Sequence, residues 1–179
     1  MRRAACVEGA FVSGEDAGGS RIAMIRNLVQ GAVSGAVATA AMSLAMVAGQ
    51  RAGLMADQPP KRITRAALPG RKHRPKPGEG VLGAAAHVGF GSVSGGLFGL
   101  MTGGRHAPVP LGAAYGLAIW IGSYAGWVPR LGILPPISRD RPGRQSVLAV
   151  GHVVYGAALA YTMNRLTSGR RSSRDTPAS

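Results

Sequence analysis

The sequence has a single cysteine, Cys6, and this scarcity excludes several kinds of site. One cysteine forms neither an intrachain disulfide nor a paired-cysteine metal site, and it leaves the redox compartment open. Acidic residues are also scarce, seven in 179, against 21 lysines and arginines. The chain has no carboxylate pair, no phosphate-binding glycine loop and no nucleophile with a base at recognisable spacing. The sequence therefore predicts no enzyme, no catalytic residue and no metal site.

Charge is missing altogether from four long stretches, and these stretches define the chain. The clearest is residues 81–104, which has no Asp, Glu, Lys or Arg. A helix of that length, at about 1.5 Å per residue, exceeds the roughly 30 Å hydrocarbon layer of a bilayer. The first stretch has few large side chains and is only weakly hydrophobic, and a surface helix is the alternative for it. The predicted spans are residues 28–49, 81–104, 109–128 and 146–164.

The net charge of +14 would indicate a nucleic-acid partner in a soluble protein. Here the basic residues lie almost wholly outside the uncharged runs, as they do in membrane proteins. We therefore predict the lipid bilayer, and not nucleic acid, as the partner. The connectors at residues 50–80 and 129–145 hold 12 of the 21 Lys and Arg, which by a small margin favours cytoplasmic connectors. These charges are either ordinary topogenic charge or a site for anionic lipid headgroups.

Glycine, in contrast, is abundant, and it is regularly spaced within the predicted spans. In residues 81–104 a small residue recurs every fourth position after His87, which forms a ridge that lets a second helix approach closely. Successive members advance about 40° around the helix, so the partner helix must cross at an angle. The predicted packing glycines are Gly31, Gly35, Gly91, Gly95, Gly99, Gly103, Gly112, Gly116 and Gly156.

Short motifs recur in the same order in the two halves of the chain. GAVSG, a Pro-Pro pair and HVGFG are followed by GAAYG, a second Pro-Pro pair and HVVYG. This order predicts an all-α membrane protein, a four-helix bundle built as two repeated hairpins, with chance similarity as the alternative. Surplus glycine ridges favour a homodimer. The predicted loop motif comprises Pro59, Pro60, Pro135, Pro136, Arg139, Asp140 and Arg141.

Two histidines, His87 and His152, each lie six residues inside a predicted span, at a depth of about 9 Å. An ionisable side chain within a span needs a partner and is a candidate functional residue. Three interpretations are open: neutral hydrogen-bonding groups between helices, ligands of a haem or metal, or a proton-sensing or proton-passing pair. Candidate partners are Tyr115, Tyr124, Tyr155, Ser92 and the other histidine.

The run WVPRLGILPPISRDRPGRQSVLAVGHVVYG resembles the closing part of the YagU-like family of small bacterial inner-membrane proteins. The resemblance covers about residues 110–165. It implies a multi-pass protein of the bacterial inner membrane, with little-defined biochemistry and a link to acid tolerance. The matching positions are Gly132, Pro135, Pro136, Gly151 and His152.

The predicted organisation is a disordered tail at residues 1–26, a membrane domain at residues 27–165 and a disordered basic tail at residues 166–179. KRITRAAL, in the first connector, predicts one or two turns of interfacial helix. The main functional hypothesis is a non-enzymatic membrane protein in envelope or acid-stress physiology, with the two histidines sensing or passing protons. The alternatives are a haem-binding redox protein that uses His87 and His152, and a small carrier or pore.

Overall fold

In the computed structural model of the chain, all regular structure among the described residues is helical, which confirms the all-α class. The structure describes residues 5–55, 63–65, 68, 77–131 and 137–174. The elements are α1 (Ala5–Arg51), α2 (Glu79–Thr102), α3 (Val109–Ile121), a π-helical segment (Gly122–Trp127), α4 (Val128–Arg130), a 3-10 turn (Ile137–Arg139) and α5 (Pro142–Arg174).

Three helical stretches are long and apolar enough to cross a membrane: Gly18–Arg51, Glu79–Thr102 and Pro142–Gly169. They contain the predicted first and fourth spans and nearly all of the second. The predicted third span differs, because α3 has only 13 residues. The helical path nevertheless continues without a break through the π-helical segment and α4 to Arg130.

The helices at the two ends of the chain are longer than the sequence predicts. α1 already begins at Ala5, within the tail predicted to be disordered, and α5 continues to Arg174, within the other predicted tail. The physical reason is that extending a formed helix fixes one residue for each new hydrogen bond, so the nucleation cost is not repeated. In the first connector a helical turn is described at residues 63–65. The prolines of the predicted loop motif, and Gly132 of the family resemblance, lie outside the described residues.

Large apolar side chains cover much of the outward-facing surface of these helices. Leu44 is 72% exposed, Met101 is 75% exposed and Val81 is 79% exposed. Soluble monomers rarely expose extended apolar patches, because contact between water and apolar surface is unfavourable. These exposed side chains agree with the three membrane-length helices in indicating a membrane protein.

α1 and α2 pack against each other through glycine backbone. A Cβ atom at Gly31 would overlap the carbonyl oxygen of Gly95, and one at Gly35 would overlap that of Gly91. Along these contacts the residue numbers increase on α1 and decrease on α2, so the two helices are antiparallel. Only glycine allows this approach, since any larger side chain would have to displace backbone of the facing helix.

α3 and α5 pack in the same way, with a shifted point of contact. A Cβ at Gly112 would overlap the carbonyl oxygen of Gly156, and one at Gly116 would overlap that of His152. The methyl group of Ala160 also lies close to Gly112. α5 packs on α1 as well and so joins the two helix pairs. We call the part of the molecule that contains these glycine contacts the glycine-packed half.

Two glycines of the predicted ridge on α2 lie beyond the central contacts. A Cβ at Gly99 would overlap the carbonyl oxygen of Asn27, so Gly99 packs against α1 as the spacing predicts. Gly103 has a φ of 61°, its N–H donates to the carbonyl of Leu100, and a Cβ there would meet no atom within 4 Å. Gly103 therefore ends the helix as a left-handed cap, which corrects its predicted role in helix packing.

Candidate functional site

A cavity of about 270 Å³ lies beyond the glycine-packed half, toward the end where the two predicted connectors emerge. α1 contributes Met42 and Met46, α5 contributes Leu148, and the π-helical segment contributes Ser123 and Tyr124. In the sequence, the cavity residues of α1 and of the π-helical segment come after the contact glycines of α1 and α3. On α5, Leu148 comes before the contact glycine. We call this part of the molecule the cavity half.

The two histidines singled out in the sequence line the same cavity. His87 comes from α2 and His152 from α5, and both also line a smaller void of about 20 Å³. The Nδ1 atom of His152 lies 2.7 Å from the carbonyl oxygen of Leu148, one turn earlier on its own helix. A carbonyl only accepts, so Nδ1 carries the proton, and Nε2 of a neutral ring is left as an acceptor. Within the described part of the chain, His87 makes no hydrogen bond.

The tyrosines predicted as partners of the histidines bond elsewhere. The hydroxyl of Tyr115 donates to the carbonyl oxygen of Ser94 at 2.7 Å, and that of Tyr155 donates to the carbonyl oxygen of Gly91 at 2.7 Å. The hydroxyl of Tyr124 donates to the carboxylate of Asp140. No hydrogen bond joins Ser92 to either histidine among the described residues. Among the residues that the structure describes, neither imidazole therefore forms a hydrogen bond to another helix.

The smaller void lies between the histidines and the glycine-packed half. Besides the two imidazoles, Ser94 and Tyr155 line it. A volume of about 20 Å³ suffices for one water molecule, which needs roughly two to four polar neighbours. The void has both the size and the polar groups to hold a water in contact with both histidines.

A buried ion pair fixes the second connector to the wall of the cavity. Arg144 Nη1 donates to Asp140 Oδ1 at 2.9 Å, and the side chains are 10% and 2% exposed. The same carboxylate accepts the hydroxyl of Tyr124 and the backbone N–H of Arg141. Since Tyr124 lines the cavity, this network sets the position of one wall. Within the predicted loop motif, Asp140 is therefore buried and hydrogen-bonded, whereas Arg139 and Arg141 are exposed.

The first connector also reaches the cavity, through Ile63 and the buried Thr64. Next to them, Arg65 forms a two-point ion pair with Glu79, with Nε to Oε2 at 2.8 Å. Glu79 is the first residue of α2. This ion pair holds the helical turn of the connector against the beginning of α2, beside the cavity.

Part of the site could not be read from the sequence. The sequence predicts an unbroken helix through residues 109–128, whereas the structure has a π-helical segment, in which Ser123 donates to the carbonyl of Ile119 at 2.7 Å. Such segments are frequent at functional sites, because they redirect side chains. Met42 and Met46 were also not predicted as site residues. Their spacing of four residues is the sequence feature that could have indicated them.

Among the described residues, no three His, Cys, Asp or Glu side chains come together as they would around a metal ion. One family model matches residues 25–174, and its description is a family of unknown function, DUF6789. The match includes both histidines and the residues around the cavity. No curated protein matches the chain, and no solved structure does.

Proposed function

The chain belongs to DUF6789, a family of unknown function, and we propose that it crosses the membrane four times as two similar helical hairpins. Three helices have the required length and hydropathy. The glycine contacts of α1 with α2 and of α3 with α5 support the arrangement in pairs. Their likeness also supports an internal repeat, in which Gly31 and Gly35 correspond to Gly112 and Gly116.

The fourth crossing in this proposal is the helical path from Val109 to Arg130. It contains no charged residue before Arg130. Its length is about 30 Å at 1.5 Å per residue, which matches the hydrocarbon layer. The π-helical segment interrupts the regular α-helix without breaking the helical path. We assign the protein to the bacterial inner membrane because of the family resemblance, and place the basic connectors in the cytoplasm because of their charge.

Within this arrangement we propose that His87 and His152 form a proton-responsive pair, which senses or passes protons in envelope or acid-stress physiology. The observation that carries this proposal is that the two imidazoles, distant in sequence, line one cavity. Imidazole is the side chain that ordinarily titrates near neutral pH. Two imidazoles facing one space repel each other when both are charged, so their protonation is coupled. The proposal involves no enzymatic reaction, and the bilayer, with its anionic headgroups near the connectors, is the partner.

Replacement of both histidines by glutamine tests this proposal. Glutamine keeps hydrogen-bonding capacity but does not titrate. In a strain without the native gene, the wild-type chain is expected to restore survival of acid shock, and the His87→Gln, His152→Gln variant is not. The control is His106→Gln, because His106 is exposed and lies outside the cavity. Full survival with the double variant, at equal membrane levels, would remove the pair from this role.

Haem binding is the second candidate, and it uses the same two residues. The bond from His152 Nδ1 to Leu148 leaves Nε2 free to ligate iron, and no residue that the structure describes bonds to His87. A volume of about 270 Å³ is near the lower limit of small-molecule sites and favours an occupant smaller than haem. A Soret band in the protein purified from haem-supplemented cells, absent in His152→Gln, would decide for haem.

A small carrier or pore and a homodimer stay as further proposals. The carrier is tested by uptake of candidate solutes into proteoliposomes. The dimer is tested by the mass of the protein in a lipid nanodisc.

A further inference from the structure

The walls of the cavity are apolar and largely aromatic. Phe90, Trp120 and Trp127 line it together with the flexible side chains of Met42 and Met46. Methionine adapts to irregular shapes and makes favourable contacts with aromatic rings. A volume of about 270 Å³ suits a small molecule of mostly apolar surface.

The cavity reaches the outer surface of the protein. Phe90 and Trp127 line it, and they are also 49% and 42% exposed. The opening therefore lies between α2 and the π-helical segment. In the proposed four-span arrangement this surface faces lipid, so an occupant enters from the bilayer.

Besides the buried Nε1 of Trp120, which makes no hydrogen bond among the described residues, few polar groups of the wall are available to hold the occupant. The hydroxyl of Tyr124 donates to Asp140, and that of Ser123 donates to a backbone carbonyl. His152 offers Nε2 as an acceptor, because its Nδ1 donates to Leu148. His87 is able to donate, because no described residue accepts from it. The two imidazoles together are complementary to one group that donates and accepts at the same time.

We infer that the cavity binds a small lipid-soluble molecule that carries one acidic O–H group, a phenol or a protonated carboxylic acid, on an apolar body. The O–H donates to Nε2 of His152, and an oxygen of the same group accepts from His87. An acidic O–H is a stronger donor than an alcohol, so it compensates better for the loss of water on entering an apolar site. The inference rests on the proposed function, since it uses the same pair in the same arrangement.

Tryptophan fluorescence of the full chain in nanodiscs tests the inference directly. The chain has two tryptophans, and both line the cavity. The probes are 4-butylphenol, octanoic acid below its titration midpoint, and 4-butylanisole, which has the shape of the phenol without the O–H. A saturable fluorescence change is expected with the phenol, the acid or both, and at least tenfold weaker binding is expected with the anisole. Equal binding of phenol and anisole, or no saturation with either O–H probe, would overturn the inference.

A matched pair of variants separates the cavity from general partition into lipid. Ala86 lines the cavity and its neighbour Ala85 does not, and both are exposed on α2. Ala86→Phe is expected to reduce O–H probe binding at least tenfold, and Ala85→Phe to leave it unchanged. Equal loss in both variants would contradict the site. The result is separable from the acid-survival test: O–H-dependent binding with histidine-independent survival supports the site and rejects only the proton role. Histidine-dependent survival without probe binding rejects only this inference.

Discussion

The glycine-packed half and the cavity half use the same four helical segments in opposite ways. In the first, Gly31 and Gly35 bring the backbone of α1 against that of α2, and no room is left for side chains. In the second, Met42 and Met46 of the same helix border a cavity of about 270 Å³. The glycines thus determine where the helices meet and, as a consequence, where space remains. The cavity remains because the glycine contacts of α1 with α2 and of α3 with α5 lie in the other half.

The two halves differ in their polar groups as well. In the glycine-packed half the buried polar groups are neutral. Asn164 pairs with the backbone of Ala107, and Thr39 donates to the carbonyl of Gly35, whereas Ser34 Oγ has no partner among the described residues. The cavity half contains a buried ion pair and two imidazoles. Substitutions in the cavity half are therefore expected to act through charge, and those in the glycine-packed half through space and neutral hydrogen bonds.

The largest effect is expected for Asp140→Ala in the cavity half. The change leaves Arg144 buried without its counter-ion, which destabilises by about 3–5 kcal/mol. Unfolding of the purified protein in detergent, followed by circular dichroism against denaturant, measures the loss. In the double variant Asp140→Leu, Arg144→Met no buried charge is left, so a smaller loss is expected. A double variant as unstable as the single one would show that the ion pair is not the cause.

The next effect is expected for Gly95→Leu in the glycine-packed half. The new side chain would overlap backbone of Gly31 and Gly35, which cannot turn aside as a side chain could. We expect destabilisation toward the upper end of about 1–3 kcal/mol. Gly89→Leu on the same helix is the control, since a Cβ there meets nothing within 4 Å. Equal behaviour of the two variants in detergent unfolding would refute the close contact.

A smaller loss is expected for Asn164→Ala. The side-chain amide accepts from the N–H of Ala107 at 3.0 Å and donates to its carbonyl at 2.8 Å, and Ala107 is 1% exposed. The variant leaves both backbone groups without these bonds, at a cost of about 1–2 kcal/mol. The same unfolding measurement applies, with Asn164→Gln as a variant that keeps the amide. An unchanged midpoint for Asn164→Ala would mean that water replaces both bonds.

Among the variants that remove an interaction inside the protein, the smallest effect is expected for Tyr115→Phe. The ring contact with Phe98, at a centroid distance of 4.9 Å, is kept, and the bond to the carbonyl of Ser94 is lost. The expected loss is about 1 kcal/mol. Tyr161→Phe, on an exposed ring, is expected to change stability less. A larger loss of stability for Tyr161→Phe than for Tyr115→Phe would contradict the placement of Tyr115 inside the protein and of Tyr161 on its surface.

The sequence predicts the glycine-packed half better than the cavity half, for a physical reason. A helix contact through glycine depends on the spacing of one residue type, so Gly31, Gly35, Gly91 and Gly95 could be named in advance. A cavity is what side chains from several helices leave unfilled, and no spacing within one helix reveals it. The histidines could be named because ionisable groups are rare in apolar runs.

Other features depend on interactions between segments. The bond between Tyr124 and Asp140 joins the π-helical segment to the second connector, and the sequence offered Tyr124 only as a partner of the histidines. The extension of α1 to Ala5 was missed because composition suggests disorder where an existing helix is able to continue. Prediction of such features requires the positions of neighbouring segments.

Cysteine accessibility tests the proposed four crossings most directly. In a Cys6→Ser background, single cysteines replace exposed residues at three points: His106 between α2 and α3, Arg139 in the second connector, and Ser168 near the end of α5. A membrane-impermeant maleimide is applied to intact spheroplasts and to inverted vesicles. With four crossings, positions 106 and 168 are expected to react on one side of the membrane and position 139 on the other. Reaction of positions 106 and 139 on the same side would mean that residues 109–130 do not cross, and would contradict the account.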